Sequence, residues 1–86
     1  MEITFSPKAL KDAKHWSASG NTKIQKKITD LLNSITKDPF TGIGKPEPLK
    51  HEFTGCWSRR INAEHRIIYE VSAGSIEILS LKDHYK

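Results

Sequence analysis

Eighty-six residues make a chain of one domain's length with a thin core: 36% of the residues are hydrophobic and 28% are charged. The net charge of +4 and an isoelectric point near 9.3 draw such a surface toward polyanions, of which nucleic acid is the commonest. One cysteine excludes an internal disulfide, and neither CxxC nor Cys/His spacing offers a zinc site. No apolar run has the length of a membrane span, and no leader segment follows Met1, so the cytoplasm is the expected compartment.

In chain order, residues 2–5 alternate, with Ile3 and Phe5 on one face, and read as a first strand. Ser6-Pro7 then supplies an N-cap hydroxyl and a proline at the first helical position. Ala9, Leu10, Ala13 and Trp16 form the apolar stripe expected of this helix, which Gly20 ends. Asn21 or Thr22 caps a second helix. Its Ile24, Ile28, Leu31, Leu32 and Ile35 repeat on one face, and Asp38-Pro39 stops it. So short a junction predicts an antiparallel helix hairpin. Residues 41–48 hold two glycines and two prolines and read as a loop, or an edge strand at most. Three β-like segments follow at 57–61, 65–71 and 75–81, joined by short turns and expected to pair antiparallel. The expected class is α+β: a two-helix hairpin packed on an antiparallel sheet, in the order βααβββ, over one domain spanning 1–86.

The polar residues crowd after position 44: Lys45, Glu47, Lys50, His51, Arg59, Arg60, His65, Arg66, His84 and Tyr85. Alternation in the strand around Arg66 sends His65, Ile67, Tyr69 and Val71 to one face and Arg66, Ile68 and Glu70 to the other. Metal-free cleavage of RNA needs a base for the ribose 2′-hydroxyl, an acid for the 5′-oxygen, and cations for the phosphorane between them. Glu47, His84, Arg66 and the Arg59-Arg60 pair fill those roles. As residue types alone the set is weak evidence, and composition and charge suit equally a basic RNA- or ribosome-binding module without chemistry, against which the complete Glu47, Arg66 and His84 set argues. In such a module Glu47 is a solvated loop charge, Arg59 and Arg66 pair with Glu64 or Glu70 across a hairpin, and His51 and His65 are structural or surface residues. Trp57, among apolar neighbours, belongs to the core.

The string Gly44-Lys45-Pro46-Glu47-Pro48-Leu49-Lys50-His51, then Gly55-Cys56-Trp57-Ser58-Arg59-Arg60-Ile61, then Glu64-His65-Arg66-Ile67-Ile68-Tyr69, and finally His84-Tyr85, resembles the signature of the YoeB/Txe toxins of the RelE superfamily. The resemblance runs from residue 1 to residue 85, departing at Cys56, where the family commonly carries an aromatic residue. It implies a microbial-ribonuclease-like fold and a toxin of a type II toxin–antitoxin module that cuts mRNA in the ribosomal A site, without metal or cofactor. It carries the general base onto Glu47, the general acid onto His84 and the phosphate-stabilising arginine onto Arg66. Lys50, Arg59, Arg60 and Tyr85 fall among the positions that bind RNA or orient the phosphate. The implied partners are a YefM/Axe-like antitoxin, the 70S ribosome with its mRNA, and a second copy of the chain, with no membrane. A toxin of the same fold with another target, such as a ParE-like topoisomerase inhibitor, lacks the Glu/Arg/His set.

Overall fold

In the computed structural model, residues 2–83 are described. The catalytic candidate His84 and the RNA-binding candidate Tyr85 therefore lie outside the described residues. Strand β1 (Glu2–Phe5) leads into helix α1 (Pro7–Ser19). Ser6 caps that helix by accepting from the Ala9 amide at 3.1 Å, and Gly20 closes it in the left-handed conformation at φ 72°. Such a cap contributes about 1 kcal/mol. Asn21 caps α2 (Thr22–Lys37) in the same way, through the Ile24 amide, and the extended Asp38 before Pro39 ends it.

The remaining chain forms β2 (Glu47–Pro48), a 3-10 turn (His51–Phe53), β3 (Cys56–Arg60), β4 (Arg66–Ser72) and β5 (Ser75–Ser80). The sheet order is β1-β5-β4-β3-β2. The α+β class and the helix–sheet layering are as expected, and residues 41–48 do yield a short edge strand, β2. The expected all-antiparallel sheet is not found. β2 through β5 meander antiparallel, but β1 pairs parallel with β5, Glu2 opposite Ser75 through Phe5 opposite Ile78. The helices carry the chain from one edge of the sheet to the other, and the meander brings β5 back beside β1 in the same direction.

The main core lies between helices and sheet. Ile28, Leu31 and Ile35 of α2 and Ala9 and Trp16 of α1 pack on Ile67, Tyr69, Ile76 and Ile78, with Trp57 and Val71 half-buried at its margin. Each fully buried aliphatic side chain contributes roughly 1.5–3 kcal/mol. Leu10 is not in the stripe: it is 53% exposed, and Asp12 takes the buried place. Positions 9, 12, 13 and 16 share one helical face, from which Leu10 is rotated by one residue. On the opposite sheet face Leu49, Cys56 and Ile68 form a smaller cluster, against which Phe53 and Leu79 pack.

Candidate active site

The face of the sheet away from the helices carries the candidate chemistry. Paired residues in neighbouring antiparallel strands share a face, so Glu47, opposite Ser58, lies on the same face as Ile68 and Arg66. Arg60 stands directly opposite Arg66. The Glu47–Ser58 row and the Arg60–Arg66 row are two residues apart along β3, which is about 7 Å. Glu47, Lys50 and Arg60 are exposed and Arg66 is half-buried. Among the described residues, none of these four side chains forms an ion pair. Like charges set opposite each other on adjacent strands are unfavourable. Two arginines in that relation, with no carboxylate paired to either among the described residues, form a place where an anion lowers the energy. Arg60 also lines a shallow groove of about 440 Å³ with Lys27 and Lys45, extending the positive surface along the sheet edge.

Arg59 does not belong to this surface. The expectation that it binds phosphate is corrected by its burial: it is 0% exposed and on the helix side of the sheet. All five guanidinium N–H donors are engaged. Nε donates to the Tyr69 hydroxyl at 3.0 Å. One terminal nitrogen donates to Ser34 Oγ at 2.7 Å and to the Ile43 carbonyl at 3.1 Å. The other donates to the carbonyls of Asp38 at 2.7 Å and Thr41 at 2.9 Å. Tyr69 in turn donates to the Pro39 carbonyl at 2.7 Å. Burial pushes the Tyr69 phenol above its ordinary range, opposed by the Arg59 guanidinium. Arg59 thus gathers the loop after α2 around one buried cation, and that loop delivers Glu47.

Close approach makes the loop dependent on two glycines. A Cβ on Gly42 would collide with Ser34 Oγ, and one on Gly44 would sit 2.5 Å from Leu31 Cδ2. The Gly44 carbonyl accepts from the Arg60 amide at 2.7 Å and the Leu49 amide donates to the Cys56 carbonyl at 2.9 Å. Glu47 is therefore held between two anchor points along β3.

The described chain ends beside Arg66. The Arg66 amide donates to the Asp83 carbonyl at 3.2 Å, and the Asp83 amide donates to His65 Nδ1 at 2.9 Å. His65 is buried, with its ring edge against Trp16 at 4.9 Å, so its structural reading holds. His51 is exposed in the 3-10 turn. Cys56 is buried; desolvation, and secondarily the Glu70 charge, push its thiol up, which disfavours the nucleophilic thiolate. Among the described residues no three His, Cys, Asp or Glu side chains cluster as metal ligands, and no helix is long and apolar enough to cross a membrane. Sequence reasoning missed the buried Asp12 and the loop-organising role of Arg59. Strand parity pointed to the latter, since Arg59 falls between Trp57 and Ile61 on one face.

This arrangement can be compared with known proteins. Residues 5–85 match the model of the YoeB-like toxin of bacterial type II toxin–antitoxin systems. The chain belongs to the YoeB family of toxins. A toxin YoeB from Streptomyces coelicolor is 42% identical, over 99% of this chain and 100% of its own. A YoeB/ParE toxin from Agrobacterium tumefaciens superposes with a TM-score of 0.92 at 38% identity, covering 99% and 100% of the two chains. YoeB from Staphylococcus aureus has been solved as a dimer, with a TM-score of 0.87 at 49% identity, and in complex with YefM, with a TM-score of 0.86 at 50% identity. Each covers 99% of this chain and 98% of the other. YoeB toxins thus share this chain's full length, and its helix–sheet architecture is theirs.

Proposed function

We propose that this YoeB-family toxin is a ribosome-dependent mRNA endoribonuclease, with Glu47 as general base, Arg66 as phosphorane clamp and His84 as general acid. The observation that carries the reading is the sheet face away from the helices, where the exposed Glu47 carboxylate lies one row from the Arg60–Arg66 pair, neither of which is ion-paired among the described residues. In this mechanism Glu47 takes the proton of a ribose 2′-hydroxyl, and the 2′-oxygen attacks the adjacent phosphorus. Charge accumulating on the non-bridging oxygens is met by Arg66, with Arg60 and Lys50 steering the backbone. The P–O5′ bond breaks, and the departing 5′-oxygen receives its proton from His84, while Tyr85 orients the substrate. The step needs neither metal nor cofactor, since the Glu/Arg/His set supplies base, cation and acid.

The ribosome supplies positioning that the sheet face need not provide alone. Messenger RNA held in the A site arrives already oriented, which lowers the cost of bringing its 2′-hydroxyl to Glu47. Ribosomal RNA meets the basic flank around Lys27 and Lys45. The YefM complex of the Staphylococcus relative supports a YefM-like antitoxin as the partner that silences this toxin. The dimer of that relative supports self-association. Action on ribosomes places the protein in the bacterial cytoplasm.

The test is cleavage of 5′-labelled mRNA on programmed ribosomes, with analysis of the fragment ends. The 5′ fragment is expected to end in a 2′,3′-cyclic phosphate or the 3′-phosphate derived from it. A 3′-hydroxyl would show that water, not the 2′-oxygen, attacked, and would overturn the mechanism.

A further inference from the structure

The last described residues are held by more polar contacts than packing the end of a strand requires. Leu81 is 2% exposed. Its amide donates to Asp12 Oδ2 at 3.0 Å, and its carbonyl accepts from the Trp16 indole Nε1 at 2.8 Å. Two residues on, Asp83 is fixed at both ends of its backbone: its amide donates to His65 Nδ1, and its carbonyl accepts from the Arg66 amide. The side chains making these contacts are themselves sealed, Asp12 and Trp16 at 6% exposure and His65 at 8%. They also form a contiguous set, because the Trp16 and His65 rings meet edge to face. A buried carboxylate is costly unless it is paired, and Asp12 is paired to Lys8 Nζ at 2.8 Å as well as to Leu81.

Core packing accounts for Leu81 but not for Asp83. Asp83 is exposed, contributes nothing to either apolar cluster, and adopts a left-handed backbone at φ 72°. Aspartate visits this region more readily than most side chains, and here a hydrogen bond at each end of the residue fixes it there. The next residue in the chain is His84. Resting on the reading of His84 as the general acid, we propose that His65, backed by Trp16 and Asp12, is a positioning residue of the cleavage reaction. Its Nδ1 holds the amide of Asp83, whose carbonyl meets the Arg66 amide, and so fixes the residue that precedes His84 in sequence. To accept this bond His65 must be the neutral imidazole with its proton on Nε2.

The experiment measures single-turnover cleavage of ribosome-bound mRNA together with hydrogen exchange at the Asp83 amide, using the full chain. His65→Asn places an acceptor oxygen where Nδ1 was, whereas His65→Gln places one where Nε2 was. His65→Asn should keep most of the cleavage rate and the Asp83 protection. His65→Gln and His65→Phe should lose the protection and cut the rate about 10²-fold, the penalty of a displaced catalytic group, with ribosome affinity unchanged. In a His84→Ala background, His65→Gln should have no further effect on rate, because both changes remove one function. Equal rates for folded His65→Gln and wild type, while His84→Ala is slow, would overturn the positioning role alone. A wild-type rate for His84→Ala would instead overturn the acid assignment and the inference with it. If His65→Phe fails to fold, the Asn and Gln pair decides, and equal loss in both would overturn the positioning role of Nδ1.

Discussion

Arg59 and Arg60 are adjacent in sequence and lie on opposite faces of β3, one sealed against the helices with all its donors used and the other exposed opposite Arg66. The two cations therefore do unrelated work. Arg59 holds the loop that presents Glu47, and Arg60 adds to the positive surface beside it.

This division predicts opposite outcomes for two neighbouring substitutions. Arg59→Leu leaves the carbonyls of Asp38, Thr41 and Ile43 without their buried donor, each bond to a charged group being worth about 1.5–3 kcal/mol. A loss of more than about 3 kcal/mol is expected in urea unfolding. Arg59→Lys should recover little of it, because an ammonium cannot reproduce the five-donor fork. Arg60→Ala should leave stability within about 0.5 kcal/mol. It should instead reduce the salt dependence of RNA binding by about one phosphate contact. A well-folded Arg59→Leu with weakened RNA binding would return Arg59 to the RNA-binding surface.

Local patterns made much of this fold legible before any coordinates. Ser6-Pro7, Gly20, Asn21 and Asp38-Pro39 mark both helices because capping and proline sterics act over one turn of chain. The Trp57–Ile61 parity also contained the fate of Arg59, but a charged pair reads as exposed because arginine is seldom fully buried. What local pattern could not carry was pairing over long separations. Alternation in residues 2–5 says nothing of the parallel partner near residue 75. Nor does it reveal that Asp12 caps the Leu81 amide, 69 positions away. Glu47 and Arg66 were nameable through family resemblance, while their shared face depended on strand register.

Gly44 and Gly74 offer a second comparison. Both have positive φ, 84° and 77°, so alanine at either carries a backbone penalty of about 1–2 kcal/mol. At Gly74 the new Cβ meets nothing within 4 Å. At Gly44 it also strikes Leu31 Cδ2 and crowds Arg59 Cβ and the Arg60 carbonyl at 3.2 and 3.3 Å. Gly44→Ala should therefore destabilise by about 1–3 kcal/mol more than Gly74→Ala, overpacking being added to strain. It should also slow cleavage by moving Glu47. Equal melting temperatures for the two variants would refute the close approach.

The pH dependence of stability should carry two signatures of the Arg59 loop. Asp38 is held below its ordinary 3.8, first by the Phe40 amide and then by the Thr41 hydroxyl, with Arg59 a lesser cause. A carboxyl lowered in the folded state stabilises the fold above the unfolded value, and that contribution is lost as pH falls through the folded one. Asp38→Asn should flatten this acid limb. Tyr69 is raised above 10 by burial, so its contribution is intact below pH 10. It is lost as pH rises toward the folded value, because the unfolded phenol ionises first. Tyr69→Phe should flatten the alkaline limb, though it also leaves Arg59 Nε and the Pro39 carbonyl without a partner. Urea midpoints across the pH range check both, and limbs unchanged in the variants would assign the titrations elsewhere.

The roles proposed for Glu47 and Arg66 give the most direct prediction about rate. Both residues lie on the sheet face away from the helices, and neither belongs to an apolar cluster or an ion pair among the described residues. Their truncation to alanine should therefore change folding stability by no more than about 0.5 kcal/mol. The effect on chemistry should be large. A general base contributes about 10²–10⁴-fold, and loss of a cation that meets transition-state charge is of similar size. If base and clamp act in one step as proposed, Glu47→Ala/Arg66→Ala should be much less impaired than the product of the single losses. The pH–rate profile should be bell-shaped in the wild type, and Glu47→Ala should remove the limb on which the base must be ionised. Arg66→Ala should lower the whole profile without changing its shape, since a guanidinium does not titrate in this range. Ribosome affinity, measured separately, should be close to wild type in all three variants, because the basic flank of Lys27, Lys45 and Arg60 is untouched. Wild-type cleavage by the folded, ribosome-bound double variant would place the site on another face of the molecule.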